Sequence, residues 1–145
     1  MNPDRNPDQV TVLLVEDDDV DAEAVMRSIR RSQIPVEVVW VEDGVEALEV
    51  LRGEHRHQSV SRPVIVLLDL NMPRMDGFEF LHALRNDPAL RDLVVFVLTT
   101  SSADADRTRA YHANIAGYLV KSSVGPQFAR LARMLLSYKT AVTLP

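Results

Sequence analysis

The sequence predicts a single α/β domain in which helices cover both faces of a five-stranded parallel sheet. Short apolar runs rich in β-branched residues alternate with segments of helical period through five rounds, which is typical of βαβ units. The chain has 145 residues, the size of one domain, and its 46% apolar and 26% charged residues are typical of a globular protein. We therefore expect a doubly wound fold with one core.

The first two rounds occupy the N-terminal third of the chain. Strands are predicted at Thr11–Val15 and Val36–Trp40, with a helix at Val20–Arg31 between them that Pro35 follows. Apolar residues recur at helical spacing along this helix: Ala22, Val25, Met26 and Ile29. A turn at Glu42-Asp43-Gly44 then leads into a second helix, which carries Val45, Ala47, Leu48 and Leu51.

The other three rounds follow a polar segment, residues 53–62, for which no regular structure is predicted. The strands are predicted at Val64–Asp69, Val94–Thr99 and Gly117–Val120. The helices are predicted at Gly77–Arg85, Asp104–Ala113 and Pro126–Tyr138. We expect the apolar residues of the third and fifth helices to face the core: Phe78, Leu81 and Leu84, and then Phe128, Leu131, Ala132 and Leu135.

The domain is predicted at residues 10–139, between a tail at 1–9 and a second tail at 140–145. The chain has no cysteine, which excludes disulfides and thiolate metal sites and fits a reducing compartment. No apolar stretch approaches the roughly 18 residues of a membrane helix, and the N-terminus does not resemble a signal peptide. The formal net charge is −5 without a block of basic residues, which argues against nucleic acid as a partner. We expect a cytoplasmic protein.

Four predicted strands end on reactive polar side chains. Glu16 and Asp17 follow the first strand, Asp69 ends the third, Thr99 ends the fourth, and Lys121 follows the fifth. In an open parallel α/β sheet, the carboxyl ends of the strands meet at one crevice, where ligands bind. The sequence therefore predicts a functional site that contains these five residues.

The three carboxylates of this set favour a divalent cation. Each like-charged pair about 4 Å apart costs on the order of 4 kcal/mol at an effective dielectric of about 20, and an all-oxygen donor set suits Mg²⁺ better than zinc. Asp17, Asp69 and the backbone carbonyl of Asn71 are predicted to bind Mg²⁺ directly, with Glu16 binding through water.

With the cation bound, the Asp69 carboxylate can attack phosphorus and form an aspartyl phosphate. The Lys121 ammonium is expected to pair with Asp69 in the resting state and with a phosphoryl oxygen afterwards. The Thr99 hydroxyl can donate a hydrogen bond to another oxygen.

Four motifs in order along the chain resemble those of bacterial response-regulator receiver domains. They are Val15-Glu16-Asp17-Asp18, Leu68-Asp69-Leu70-Asn71-Met72-Pro73 with Asp76-Gly77, Leu98-Thr99-Thr100-Ser101, and Tyr118-Leu119-Val120-Lys121. The resemblance implies a flavodoxin-like (βα)5 fold of strand order 2-1-3-4-5. It also implies that Asp69 accepts a phosphoryl group from a sensor histidine kinase's phosphohistidine and later loses it by hydrolysis, without turnover of a separate substrate.

The same resemblance implies roles for the other motif residues. Glu16 and Asp17 resemble the acidic pair, Thr99 the switch hydroxyl, Tyr118 the switch aromatic and Lys121 the active-site lysine. Phosphorylation would draw Thr99 and then Tyr118 inward and repack the face made by the fourth helix, fifth strand and fifth helix.

The C-terminal tail and the long loop before the third strand narrow the resemblance to stand-alone receivers paired with phytochrome-type kinases. We expect a homodimer through the face just described and the tail up to Leu144. Met134, Leu136 and Tyr138 lie beyond the core stripe of the last helix, and the tail after it is expected to have no core role of its own. Most receivers have proline after the lysine, with a cis peptide bond. This chain has Ser122, before which a cis bond costs about 2.5–4 kcal/mol.

Other functions conflict with particular residues. A flavodoxin-like FMN protein needs a phosphate-binding loop of backbone N–H donors after the first strand, where this chain has Glu16-Asp17-Asp18-Asp19. A haloacid-dehalogenase-type phosphatase needs an acid two residues after the nucleophile, where this chain has Asn71. A receiver-shaped interaction module that acts without phosphorylation remains the alternative.

Several of these residues also have a simple structural interpretation. Asp18 or Asp19 could cap a helix, Thr99 could be an ordinary strand residue, and Tyr118 a core aromatic. His55 and His57 are read as part of a solvated surface loop.

Overall fold

The computed structural model describes residues 9–124 and 128–145. It contains one parallel sheet, and the strands are β1 (Val10–Val15), β2 (Val36–Val41), β3 (Val64–Leu68), β4 (Val94–Thr99) and β5 (Gly117–Val120). The strand order is β2-β1-β3-β4-β5, and every neighbouring pair is parallel. The predicted fold class and strand order are confirmed.

The helices are α1 (Asp19–Arg31), α2 (Gly44–Leu51), α3 (Gly77–Arg85), α4 (Asp104–His112) and α5 (Ala129–Ala141). Helix α1 begins at Asp19 because the Asp18 carboxylate caps it, accepting from the backbone N–H groups of Val20 and Asp21 at 2.9 and 3.1 Å. Helices α1, α3 and α4 lie within one residue of their predicted bounds, and α2 contains the four apolar residues predicted for it.

Helix α5 continues three residues beyond its predicted end at Tyr138. Lys139, Thr140 and Ala141 have no apolar periodicity, but all three are compatible with a helix, and the Thr140 hydroxyl donates to the Leu136 carbonyl at 2.9 Å. The predicted start at Pro126 lies outside the described residues, as does the predicted tail apart from Gln9.

The central strand β3 is apolar throughout because helices cover both faces of the sheet. All five residues of β3 are buried, and they alternate between two core clusters. Val64, Val66 and Leu68 face α2, α3 and α4, whereas Ile65 and Leu67 face α1 and α5. The strand ends are therefore held by packing on both sides.

The core residues of α3 differ from the prediction in one position. Phe80 is fully buried with Leu81 and Leu84, whereas Phe78 is half-buried and its ring lies 3.9 Å from the Arg109 guanidinium. The spacing of Phe78, Leu81 and Leu84 is also helical, but the buried stripe runs through Gly77, Phe80, Leu81 and Leu84. Phe78 packs against the core from its edge, as a partly buried residue, and the residue that the prediction missed is Phe80.

The expectation that the C-terminal tail has no core role is also wrong. Leu144, Met134 and Tyr138 pack against the core cluster on the α1 and α5 side. The Tyr138 ring meets the Phe96 ring edge-on, with centroids 5.0 Å apart. Of the apolar α5 residues assigned beyond the core stripe, only Leu136 is exposed, at 39%.

None of the helices among the described residues has the length and apolar content needed to cross a membrane.

Candidate functional site

The strand register places the predicted site residues at one edge of the sheet. Val15 pairs with Leu68, and Thr99 pairs with Val120, so β1, β3, β4 and β5 end close together. The Asp69 N–H donates to the Val15 carbonyl at 3.0 Å, which continues the ladder one residue past β3. The side chains that follow these strands therefore start from a rigid frame.

The structure brings Glu16, Asp17 and Asp69 together: one carboxylate oxygen from each lies within 4.8 Å of the others. Glu16 and Asp69 are buried, at 2% and 7% exposure, whereas Asp17 is exposed. Asn71 follows in the β3–α3 loop, exposed, and its N–H donates to Asp69 Oδ1 at 3.4 Å. Three oxygen donors so close together, one open to solvent, fit a hard divalent cation.

The electrostatics of the cluster point in the same direction. Burial raises the pKa of Glu16 to about 8, and the neighbouring Asp69 carboxylate raises it as well, while Lys121 offsets only part of the shift. Three carboxylates are thus grouped around a single lysine. A bound cation would favour the ionised carboxylates against both the burial and the neighbouring charge that raise this pKa.

Lys121 reaches the site, but its closest partners are not the predicted one. Its ammonium donates to Glu16 Oε1 at 2.5 Å and to Asp21 Oδ2 at 2.8 Å. Asp69 Oδ2 lies 3.8 Å away, within ion-pair distance but beyond a hydrogen bond. Burial opposes the charge of Lys121, but the hydrogen bonds to Asp21 and Glu16 and the charge of Asp69 outweigh it and raise the pKa of the lysine.

Sequence reasoning missed Asp21. This residue lies in the first turn of α1, and its side chain is 32% exposed. Helix α1 starts at the carboxyl edge of the sheet. A carboxylate in its first turn could therefore have been predicted to lie near the site.

The backbone after Lys121 forms a short 3₁₀ turn, Lys121–Ser123. Among the described residues the only cis peptide bond is Arg62–Pro63, so the bond between Lys121 and Ser122 is trans. The lysine thus reaches the carboxylates without a cis bond after it.

Thr99 and Tyr118 both contact the loop that leads from β4 to α4. Thr99 is fully buried, and its Oγ1 accepts from the Ser101 N–H at 3.3 Å. The half-buried Tyr118 packs against the core, and its hydroxyl donates to the Ser101 carbonyl at 2.9 Å. One residue of this loop is therefore bonded to both side chains.

The loop that follows Asp69 is held to α2 by a contact that the sequence did not reveal. Arg74, which has a left-handed backbone with φ of 62°, donates from Nε and Nη2 to Asp43 Oδ2 at 2.7 and 2.5 Å. The other carboxylate oxygen of Asp43 caps α2 by accepting from the Glu46 N–H at 2.9 Å. At the other end of the loop, Gly77 lies against the Asp69 backbone, where a Cβ would meet the Asp69 carbonyl oxygen at 2.6 Å.

His55 makes more contacts than the solvated loop residue that was expected. Its Nδ1 accepts from the N–H groups of His57 and Gln58 at 3.1 Å each, and its Nε2 lies 3.3 Å from Glu46 Oε1. Within the described part of the chain, the one group of side chains placed to bind a metal is Glu16, Asp17 and Asp69, and His55 does not belong to it. His55 therefore has a structural explanation.

Comparison with known proteins agrees with this geometry. The family model for the response regulator receiver domain matches residues 12–133. Response regulator Rcp1 of Synechocystis is 34% identical over 146 aligned positions, covering 100% of this chain and 99% of that protein.

Two solved structures are similar throughout. The phosphorylated cyanobacterial phytochrome response regulator RcpA has a TM-score of 0.82 and 35% identity, covering 93% of this chain and 97% of that one. The Mn²⁺-bound form of Rcp1 has a TM-score of 0.81 and 33% identity, with 93% and 98% coverage. The predicted similarity to phytochrome-associated receivers is thus confirmed, and the chain belongs to the response regulator receiver domain family.

Proposed function

We propose that this response regulator accepts a phosphoryl group on Asp69 from the phosphohistidine of a sensor histidine kinase, in a Mg²⁺-dependent reaction. The observation that carries the proposal is the grouping of Glu16, Asp17 and Asp69 within 4.8 Å, with the Lys121 ammonium 3.8 Å from Asp69. An interaction module that acts without phosphorylation would have no need for a buried lysine beside three clustered carboxylates.

The residues that would hold Mg²⁺ are Asp17, Asp69 and the Asn71 carbonyl directly, with Glu16 through water. When bound, the cation would neutralise charge on the phosphoryl oxygens and on the carboxylates. The exposure of Asp17 leaves the site open to solvent and to a phosphodonor. A Mn²⁺-bound structure of the related Rcp1 supports the choice of a divalent cation.

In the proposed reaction an Asp69 carboxylate oxygen attacks phosphorus. The O–P bond forms as the P–N bond to the kinase's imidazole breaks, and the imidazole leaves as a good leaving group. This explains why Asn71, which has no proton to give as an acid, suffices two residues after Asp69. The Lys121 ammonium and Thr99 hydroxyl donate to phosphoryl oxygens.

The output would be a change in the α4-β5-α5 face. A Thr99 hydroxyl that turns towards the phosphoryl group gives up the hydrogen bond from the Ser101 N–H, and Tyr118 is bonded to the carbonyl of the same residue. Phosphorylation would therefore loosen the β4–α4 loop and let Tyr118 move inward. A shift from about 1:99 to 99:1 requires roughly 5.5 kcal/mol of differential stabilisation.

The kinase partner would be of the phytochrome type, because one of the similar structures is a cyanobacterial phytochrome response regulator. We place the pair in the cytoplasm. Residues 10–139 would form the receiver domain between the two tails.

Phosphotransfer from candidate kinases tests the proposal. Wild type should be labelled with Mg²⁺ and not with EDTA, and Asp69→Asn should not be labelled under either condition. Asp76→Asn is a matched control, because Asp76 caps α3 and asparagine can replace it as a cap. Normal labelling of Asp69→Asn would refute the assignment of the acceptor, and a wild type that no donor labels would favour the interaction module.

We propose in addition that two copies associate through the α4-β5-α5 face and the C-terminal tail. Tyr111 on α4 is 47% exposed, which is large for an aromatic side chain. Tyr111→Ser should weaken the dimer in sedimentation experiments. Leu136 was one basis for expecting a dimer, but it lies in a groove beside α1, so Leu136→Ser should leave the dimer intact. A wild type that is monomeric at high micromolar concentration, with and without a phosphoryl mimic, would rule the dimer out.

A further inference from the structure

The hydrogen bonds of Lys121 assign a role to Asp21, a residue outside the four motifs. The lysine side chain is 11% exposed and its ammonium donates to two carboxylates, Glu16 at 2.5 Å and Asp21 at 2.8 Å. An ammonium has three N–H donors. Two are taken by these partners, which leaves one for a third acceptor.

The third acceptor lies in the direction of Asp69. Its Oδ2 is 3.8 Å from the Lys121 nitrogen, too far for a hydrogen bond. A phosphoryl group on Asp69 would place further oxygens beyond the carboxylate, where this distance leaves room for one of them to accept the free N–H. The two carboxylates therefore hold the ammonium at a distance that suits the phosphorylated residue better than the free one.

Of the two carboxylates that accept from Lys121, Asp21 is the one that lies outside the proposed cation site. Glu16 belongs to the carboxylate cluster that would bind the cation, whereas Asp21 is not part of that group. Asp21 is also well fixed, since its backbone N–H donates at 3.1 Å to Asp18, the cap of α1. It joins the start of α1 to the turn after β5, 100 residues along the chain.

We propose that Asp21 is a positioning residue for Lys121 in phosphoryl transfer to Asp69. This inference rests on the proposed function. By bonding the ammonium from α1, Asp21 preorganises the free N–H for the phosphoryl oxygen, so that less conformational freedom is lost as the O–P bond forms.

Asp21→Asn tests the proposal, because it removes the charge and keeps the size of the side chain. Acetyl phosphate with Mg²⁺ serves as the donor, so that kinase docking does not enter. The difference between a charged and a neutral hydrogen bond predicts a roughly three- to tenfold lower maximal rate of phosphorylation. The donor concentration at half-maximal rate should change less than about twofold, because Asp21 acts on the transfer and not on donor encounter.

Asp19→Asn is the matched control. It removes the same charge from the same turn of α1, and the described contacts give Asp19 no bond to Lys121. Its rate should equal that of wild type. Asp21→Glu should recover part of the loss, since it restores the charge on a longer side chain.

A double-mutant cycle separates positioning from a structural effect. Binding of beryllium fluoride, a phosphoryl mimic, is measured in wild type, Asp21→Asn, Lys121→Met and the double variant. Asp21→Asn should weaken binding in the presence of Lys121 and have no effect in its absence. An equal loss in both backgrounds, or an Asp21→Asn variant as fast as wild type or faster, overturns the proposal.

Failure of the proposed function is distinguishable from failure of this inference. If wild type neither accepts phosphate on Asp69 nor binds beryllium fluoride, the proposed function fails. If wild type does both and Asp21→Asn behaves identically, only the role of Asp21 is refuted.

Discussion

Gly77 links the stability of the fold to the position of Asp69. It is the first residue of α3, and a Cβ at this position would lie 2.6 Å from the Asp69 carbonyl oxygen and 2.7 Å from Leu70 Cα. Both atoms belong to the backbone that carries the carboxylate. To reach an ordinary contact of 3.4 Å, this backbone would have to retreat by about 0.8 Å.

The distances set the size of the effect of Gly77→Ala. Overpacking of a well-packed site costs about 1–3 kcal/mol, and a misplacement of about 1 Å can lower a rate on the order of 100-fold. We therefore expect a loss of stability of about 2 kcal/mol. We also expect a fall of roughly 100-fold in phosphorylation of Asp69.

Urea unfolding and phosphorylation by acetyl phosphate measure the two effects. Gly44→Ala is the matched control, because its two nearest atoms, Met75 Cγ at 2.9 Å and Sδ at 3.0 Å, belong to a flexible side chain, and the third, Phe80 Cβ at 3.1 Å, has to move by only a few tenths of an ångström. That variant should lose less stability than Gly77→Ala and keep its phosphorylation rate. The reasoning is refuted if Gly77→Ala unfolds at the same urea concentration as wild type and is phosphorylated at the same rate.

Three further predictions follow from contacts elsewhere. Asp43→Ala should lower the free energy of unfolding in urea by about 1–2 kcal/mol, because α2 loses its cap; Arg74→Met, which keeps the cap, should lower it less. Mg²⁺ at about ten times its dissociation constant should raise the free energy of unfolding by about 1.4 kcal/mol in wild type; a similar gain in Asp17→Asn would argue against the cation site. The hydrogen bond from Arg62 lowers the pKa of Asp92 below 3.8. The pair therefore stabilises the fold above that pH, and the stabilisation is lost as the pH falls through the folded-state pKa. In Asp92→Asn the melting temperature should fall less steeply than in wild type as the solution is acidified.

Strands and strand ends could be predicted from the sequence because local pattern determines them. A run such as Val64–Leu68 is apolar at every position only if both faces of the sheet are covered, and the parallel topology then brings Glu16, Asp69 and Thr99 to one edge. The grouping of the carboxylates follows from that topology alone.

Partner choice among charged side chains could not be predicted in the same way. Lys121 has three carboxylates within 4 Å, and differences of about 1 Å among these distances decide which of them accept its hydrogen bonds. The contact between Arg74 and Asp43 likewise needs a left-handed residue in a loop.

The rotation of α3 about its own axis is a third feature that the spacing of apolar residues in the sequence does not determine. A stripe through Phe78 and one through Phe80 are both compatible with helical spacing. In the structure Phe80 is fully buried and Phe78 only partly, while Gly77 lies against the Asp69 backbone. The Gly77 contact therefore joins the start of α3 directly to the backbone that carries Asp69.

Helix α4 differs from the other helices in how it is held. Its one buried residue is Ala110, whereas α3 buries Gly77, Phe80, Leu81 and Leu84. The residues after its C-terminal end are fixed, because the Arg85 guanidinium donates to the carbonyls of Ala113 and Asn114 at 2.8 and 3.0 Å. Apolar burial therefore contributes little to holding this helix in place.

The N-terminal end of α4 depends on polar contacts that meet at one residue. No side chain caps the helix at Ala103, and the Ser101 hydroxyl donates to Asp106 at 2.6 Å. Ser101 is also the residue bonded to Thr99 and Tyr118. Because few apolar contacts oppose motion here and the other end is pinned by Arg85, a displacement of Ser101 would tilt α4 about its C-terminal end at little cost. The proposed switch thus acts on α4, which buries one residue in the core, and not on α5, which buries three.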